Sequence, residues 1–461
     1  MELKFYNTLT REKEPFISIE PGKVGLYTCG PTVYDYDHIG HLRSYIFADT
    51  LKRVLLEAEY KVKHIENLTD VGHLVGDADE GEDKMEVGAR KHGKDIWEIA
   101  KYFADIYKNN LTKAGVIHPD VWAPATDYIP EQIEFITELD EKGFTYKLSD
   151  GIYFDTGKLS DYGKLAKLDI AGLREGARVE ANALKRNPTD FTLWRFHDGK
   201  RQMKWESPWG VGIPGWHIEC SAISTKYLSE RFDIHTGGID HIPVHHTNEI
   251  AQNEARFGHK VVNVWMHNNF ILVGGVKMAK SLGNLYTLDD IEKRGFSPMA
   301  LRYLYLGTHY RQQLNFTWES LEAAQNAYNK LIRELAPMPD WGQPASEAYI
   351  NKFKDAIGDD LNTPQALAVV WEVMNSNLMP EDKLRNVMAM DVILGLDLEN
   401  VVNEYRASRS NIPHHILKYV EAREIARKSG DYVKSDALRA SIEQLGYIVS
   451  DTPSGPQITP K

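Results

Sequence analysis

The chain has 461 residues, 42% of them hydrophobic and 26% charged, which is the composition of a globular protein of about two to four domains. Its formal charge of −12 argues against an indiscriminate polyanion binder, though not against one with a local basic face. No apolar run reaches the roughly 20 residues of a membrane helix, the N-terminus lacks the apolar core of a signal peptide, and two cysteines are too few for a disulfide scaffold, so a cytoplasmic protein is expected.

In chain order, KVGLYTCG alternates polar and apolar positions and predicts a strand ending near Cys29. GHLRSYIFADTLKRVLLEAEY carries Leu42, Tyr45, Ile46, Val54 and Leu55 at helical spacing, and KVKHIENLTD predicts a second strand. Strand, helix and strand in this order imply a right-handed crossover and a parallel sheet, with the loop at 30–40 at a strand's carboxyl end, where open α/β sheets bind ligands. From about 85 to 200 the pattern is mixed and reads as an insertion; FDIHTGG and VVNVWMH resume the α/β pattern. Beyond about 315 the chain reads as helical. In LNTPQALAVVWEVM, Asn362 or Thr363 is the expected N-cap with Pro364 in the first turn. A helix pair broken at Gly430 follows, and the Pro/Gly/Ser-rich tail SDTPSGPQITPK is expected to fray.

Two short stretches carry chemistry. His38-Ile39-Gly40-His41 opens the predicted helix; its histidines could hold a metal, cradle a phosphate at the helix N-terminus, or merely cap the helix. Lys277-Met278-Ala279-Lys280-Ser281 places two ammonium groups in a glycine-bounded loop, suited to neutralising polyphosphate, although a solvated lysine loop is the bland alternative. Together, in this order, the two stretches resemble the HIGH and KMSKS signatures of the class I aminoacyl-tRNA synthetases. The first match is complete; in the second, Ala279 replaces a serine and both lysines remain.

The cysteines narrow the resemblance. Cys29 ends the first strand, Cys220 lies in GWHIECS, and His245 and Glu249 are one helical turn apart in HHTNEIAQNEARFG. Two thiolates, an imidazole and a carboxylate form a set acceptable to zinc, whereas His246 should point about a hundred degrees away and is the weaker candidate. These residues, with FYNTLTREKE, TVYD, SLGN, LNTPQAL and SDALRASIEQLGYIVSDTPSGP in the family's order, resemble the cysteinyl-tRNA synthetases.

That resemblance implies a Rossmann-type α/β catalytic domain in two halves, 1–115 and 201–315, around a connective insertion at 116–200. A helical bundle at 316–403 and an anticodon-binding domain at 404–461 would follow. It implies ATP, L-cysteine and tRNA(Cys) as partners, Mg2+ with the ATP, one zinc ion on Cys29, Cys220, His245 and Glu249, and no membrane; a monomer is expected. His38, His41, Lys277 and Lys280 would be catalytic; Gly40, Gly238, Asp240 and Lys280 would bind ATP; Cys29, Gly30, Thr69 and Trp216 would line the cysteine pocket. A metal answers a physical need, because a shaped pocket gives only about 1–3 kcal/mol for so small a change as sulfur to oxygen. Segment 404–461 has nine Lys/Arg against seven Asp/Glu, consistent with a small RNA-contacting domain and equally with a solvated helix pair.

The chain departs from the family's pattern in VGHLVGDADEGEDK after Asp70 and in Thr236, where glycine is usual. Two rival readings are a cysteine ligase of mycothiol synthesis, which would not be expected to keep the C-terminal segment, and a non-catalytic tRNA-binding paralogue, which would not be expected to keep His38, His41 and Lys280.

Overall fold

A computed structural model describes residues 1–72, 83–168, 184–197, 199, 201–278, 282–340, 345–410, 412–452 and 455–461. At its centre is a five-stranded sheet of β1 (Lys23–Thr28), β2 (Lys61–Leu68), β3 (Val121–Pro124), β4 (Phe232–Gly238) and β5 (Val262–Asn268). The strand order is β5-β4-β1-β2-β3 and every pairing is parallel. Sheet order therefore reverses between β1 and β4, and open α/β sheets bind their ligands beyond the carboxyl ends of such a pair.

The crossover from β1 to β2 is the helix α1 (Ile39–Glu57). Leu51, Val54 and Leu55 of α1 are fully buried against a face of the sheet that presents Leu26, Ile234 and Met266. Side chains alternate along a strand, so Tyr27, Ile65 and Trp265 turn to the other face. There they meet α2 (Ile218–Leu228), which carries Cys220 and Ile223, and α3 (His245–Phe257), which carries Ile250.

The mixed segment contains a four-stranded antiparallel sheet of Thr145–Leu148, Gly151–Phe154, Phe191–Phe196 and Gly212–Pro214. After β5, a small sheet places Ile271–Val273 between Val276–Lys277 and Leu314–Phe316. Helices then follow from Trp318–Leu335 to Tyr432–Gln444. Asn362 is the N-cap of Thr363–Met374, its side chain accepting from the Gln365 N–H, and Gly430 at φ +78° separates the last two helices. The tail departs from the expectation of fraying: Tyr447–Thr452 and Gly455–Pro460 pair antiparallel, with Val449 opposite Ile458 and Val449 buried. Among the described residues, no helix is long and apolar enough to cross a membrane.

Candidate active site and metal centre

Cys29 follows directly on β1, so the strand delivers its thiol to the carboxyl edge of the sheet. Cys220 projects from α2, and His245 and Glu249 occupy successive turns of α3. Together Cys29, Cys220, His245 and Glu249 form a buried group whose ligand atoms all lie within 4.8 Å of one another. The two sulfurs are 3.7 Å apart. Thiolates at about 2.3 Å from a tetrahedral zinc would be separated by about 3.8 Å, so the spacing matches a metal-centred edge. Glu249 Oε1 lies 3.1 Å from His245 Nε2 and 4.0 Å from Cys29 Sγ. The sulfur, nitrogen and oxygen donors and their burial fit a zinc ion, and the cluster could hold a metal.

Electrostatics reinforce the set. Burial pushes the Cys29 thiol well up, helped by the neighbouring Cys220 and Glu249. Cys220 is drawn down to about 7, because bonds from Cys29 and His245 outweigh the cost of burial. Burial would lower His245, but Cys220 and Glu249 raise it to about 10. The imidazolium and a thiolate thus stabilise each other where water cannot.

Further contacts hold these side chains in place. His245 Nδ1 is 3.0 Å from His217 Nδ1. His235, on β4, places Nε2 2.9 Å from Glu249 Oε2. His246 is not turned away from the cluster: its Nε2 is 3.4 Å from Cys29 Sγ, and its Nδ1 is 2.7 Å from His267 Nε2. Cys29, His235, His246 and Glu249 form a second group close enough to hold a metal. Sequence spacing gave His246 the weaker role and missed His235, whose one signal was a lone polar ring inside the strand FDIHTGG.

Around this centre, Gly30 donates its N–H to Asn67 Oδ1 at 2.9 Å, and a β-carbon there would lie 1.7 Å from the Asn67 carbonyl oxygen, so only glycine fits. Thr69 Oγ1 donates to Glu219 Oε2 at 2.9 Å and accepts from Asn67 Nδ2 at 3.0 Å. The half-buried Trp216 ring lies 4.6 Å from that of His245, with Lys84 Nζ 5.4 Å from its indole. Gly238 ends β4 and Asp240 follows, placing both at the carboxyl edge of the sheet. Thr236 is accommodated within the sheet: its hydroxyl is 2.9 Å from that of Thr28, which in turn meets His64 Nε2 at 2.9 Å.

His38 and His41 stand apart from both metal-capable groups. His38 is the N-cap of α1, its Nδ1 accepting from the His41 N–H at 3.3 Å, and the two rings stack at 3.7 Å. His41 Nδ1 lies 3.3 Å from Asp37 Oδ1. Both imidazoles sit at the positive end of a 19-residue helix, on a surface open to an anion. Gly40 keeps this turn bare: a β-carbon would lie 2.9 Å from the His38 ring and 3.4 Å from Met278 Sδ. Lys277 ends the exposed strand Val276–Lys277. Ala279, Lys280 and Ser281 lie outside the described residues, as does the core of the divergent segment, 73–82.

Residues 15–326 match the model of the class I (C) tRNA synthetase catalytic domain, and residues 352–377 match the DALR domain. A Burkholderia lata protein named cysteine–tRNA ligase 1 is 47% identical over 461 residues, covering 99% of this chain and 97% of its own. The cysteine–tRNA ligase of Thermus thermophilus is 42% identical over 478 residues, covering 99% of both. The chain belongs to the cysteine–tRNA ligase family. As a class I aminoacyl-tRNA synthetase it shares its fold with distant members. Methionyl-tRNA synthetase of Mycobacterium tuberculosis, solved with methionyl-adenylate, superposes with a TM-score of 0.57 at 15% identity, over 82% of this chain and 91% of that one. The LeuRS of an Agrobacterium radiobacter ternary complex gives 0.60 at 13%, over 85% and 86%.

Proposed function

We propose that this synthetase activates L-cysteine with ATP to cysteinyl-adenylate and transfers it to the terminal adenosine of tRNA(Cys). The observation that carries the reading is the buried Cys29, Cys220, His245, Glu249 group at the reversal point of the sheet, whose Cys29 opens the loop that leads to His38 and His41. These four side chains would hold zinc, and the ion would supply a Lewis acid that favours a thiolate over an alcohol, since a thiol ionises near pKa 8.5 and an alcohol far above it.

The chain's own residues do the rest. Gly30, its backbone packed on Asn67, lies beside the cysteine, while Thr69, fixed by Glu219 and Asn67, and Trp216 flank it. His38, His41 and the bare N-terminal turn at Gly40 receive the ATP phosphates, which travel with Mg2+. Gly238 and Asp240 receive the nucleoside, and Lys277 and Lys280 neutralise the departing pyrophosphate. The substrate carboxylate is itself the nucleophile on the α-phosphorus, so catalysis consists of positioning and charge stabilisation. We assign 1–115 and 201–315 to the catalytic domain, 116–200 to the insertion, 316–403 to the bundle and 404–461 to contact with the anticodon. Cysteine-dependent pyrophosphate exchange followed by charging of tRNA tests the reading; exchange without charging would contradict it, and so would charging of an amino sugar instead.

A further inference from the structure

Arg43 lies on α1 two residues beyond His41 and is only 3% exposed. Among the described residues its guanidinium meets no carboxylate; it donates to four backbone carbonyls. Nη1 reaches Asn269 O at 3.0 Å and Phe270 O at 2.9 Å, and Nη2 reaches His309 O at 3.2 Å and Gln312 O at 2.7 Å. Burial lowers its pKa to about 10, so it remains a cation at neutral pH.

The carbonyls belong to two segments that start neighbouring strands. Asn269 and Phe270 precede Ile271–Val273, and His309 and Gln312 precede Leu314–Phe316; these strands pair in parallel, Ile271 opposite Leu314. The next strand, Val276–Lys277, hydrogen-bonds back on Ile271–Val273 with Lys277 opposite Leu272. The link runs further, because Lys277 Nζ lies 5.2 Å from the Phe270 ring, the same residue whose carbonyl Arg43 holds. On the far side of the loop, the Ile39 N–H donates to Tyr286 O at 2.8 Å. Both ends of the segment bearing Lys277 are therefore bonded to α1, the helix that His38 caps.

We propose that Arg43 is a positioning residue for adenylate formation, fixing Phe270 and the Lys277 strand in register with His38 and His41. The proposal rests on the roles assigned above to those histidines and to Lys277. A guanidinium suits the task because its planar fork serves four acceptors at once, which a lysine ammonium with three donors cannot do. A displacement of about 1 Å at a distance from the reacting atoms can slow a reaction about 10²-fold, so loss of the fork should appear in the rate of the chemical step.

The test is a double-mutant cycle in the full-length, metal-loaded enzyme, read by cysteine-dependent pyrophosphate exchange. Arg43→Lys should lower kcat by about 10- to 100-fold, leave KM for cysteine within about twofold and retain the metal. Lys277→Ala should slow the wild-type enzyme at least about tenfold, but the Arg43→Lys enzyme less than about threefold. Equal fold-losses in both backgrounds would overturn the proposal while leaving the role of Lys277 intact. An unchanged rate for Lys277→Ala alone would overturn the role of Lys277 and this proposal with it. Arg43→Gln provides a second variant with the same expectation; failure of both variants to fold would also overturn the proposal, making Arg43 a folding determinant.

Discussion

His235 Nε2 lies 2.9 Å from Glu249 Oε2, while the other carboxylate oxygen faces His245 at 3.1 Å. One carboxylate is thus held from both sides, with each oxygen given a fixed direction. Partners of this kind orient metal ligands, and their loss weakens metal binding by about 10- to 100-fold. His235→Asn should lower zinc affinity by that amount, measured by competition with a chelator. A variant holding metal as tightly as wild type would show that Glu249 needs no such support.

Protons and metal compete for the same atoms. In the metal-free protein His245 carries a proton until about pH 10 and Cys29 holds its proton more tightly than a free thiol. Binding displaces those protons, so zinc affinity should climb steadily from about pH 7 to 10. The metal-free fold should respond in the opposite sense. A histidine raised from 6.5 to about 10 contributes stability that is fully present below pH 6.5 and is lost as pH rises through 10. Denaturation of the metal-free and metal-loaded protein across this range checks both slopes; parallel curves would contradict the competition.

Deeper in the fold, Arg302 and Asp49 form an ion pair at 2.5 Å, and both side chains are fully buried. Asp49 also accepts from Arg53 Nε and from the Ile117 N–H, and Arg302 donates to Leu394 O and Ala114 O. The pair fastens α1 to the helix Pro298–Leu306 and to the end of Pro380–Leu394. Loss of Asp49 leaves the wholly buried Arg302, and Arg53 with it, without this carboxylate, so Asp49→Leu should destabilise the protein by about 3–5 kcal/mol in urea titration. A loss below about 1 kcal/mol would mean that the remaining bonds suffice.

Much of the site was legible because its parts follow local periodicities. The i, i+4 spacing put His245 and Glu249 on one face of α3, and alternation in KVGLYTCG placed Cys29 at the end of a strand. That Cys220 should meet Cys29 across 191 residues was legible only through resemblance, since strand order is not written in any local pattern. His235 was hidden for the same reason: a polar ring within a buried strand gains a role only when α3 packs over it. His246 was underrated because helical angle alone ignores the reach of an imidazole into a shared cavity. In the tail, composition suggested fraying where Val449 finds a buried place beside Ile416, Val420 and Ile442.

The central claim is that a metal on Cys29, Cys220, His245 and Glu249 selects the substrate thiol. Pyrophosphate exchange with cysteine and with serine, before and after removal of the metal by a chelator and after zinc is restored, tests it most directly. Exchange with cysteine only, its loss on metal removal and its return with zinc are expected. Full cysteine-dependent exchange in protein shown to be metal-free would contradict it.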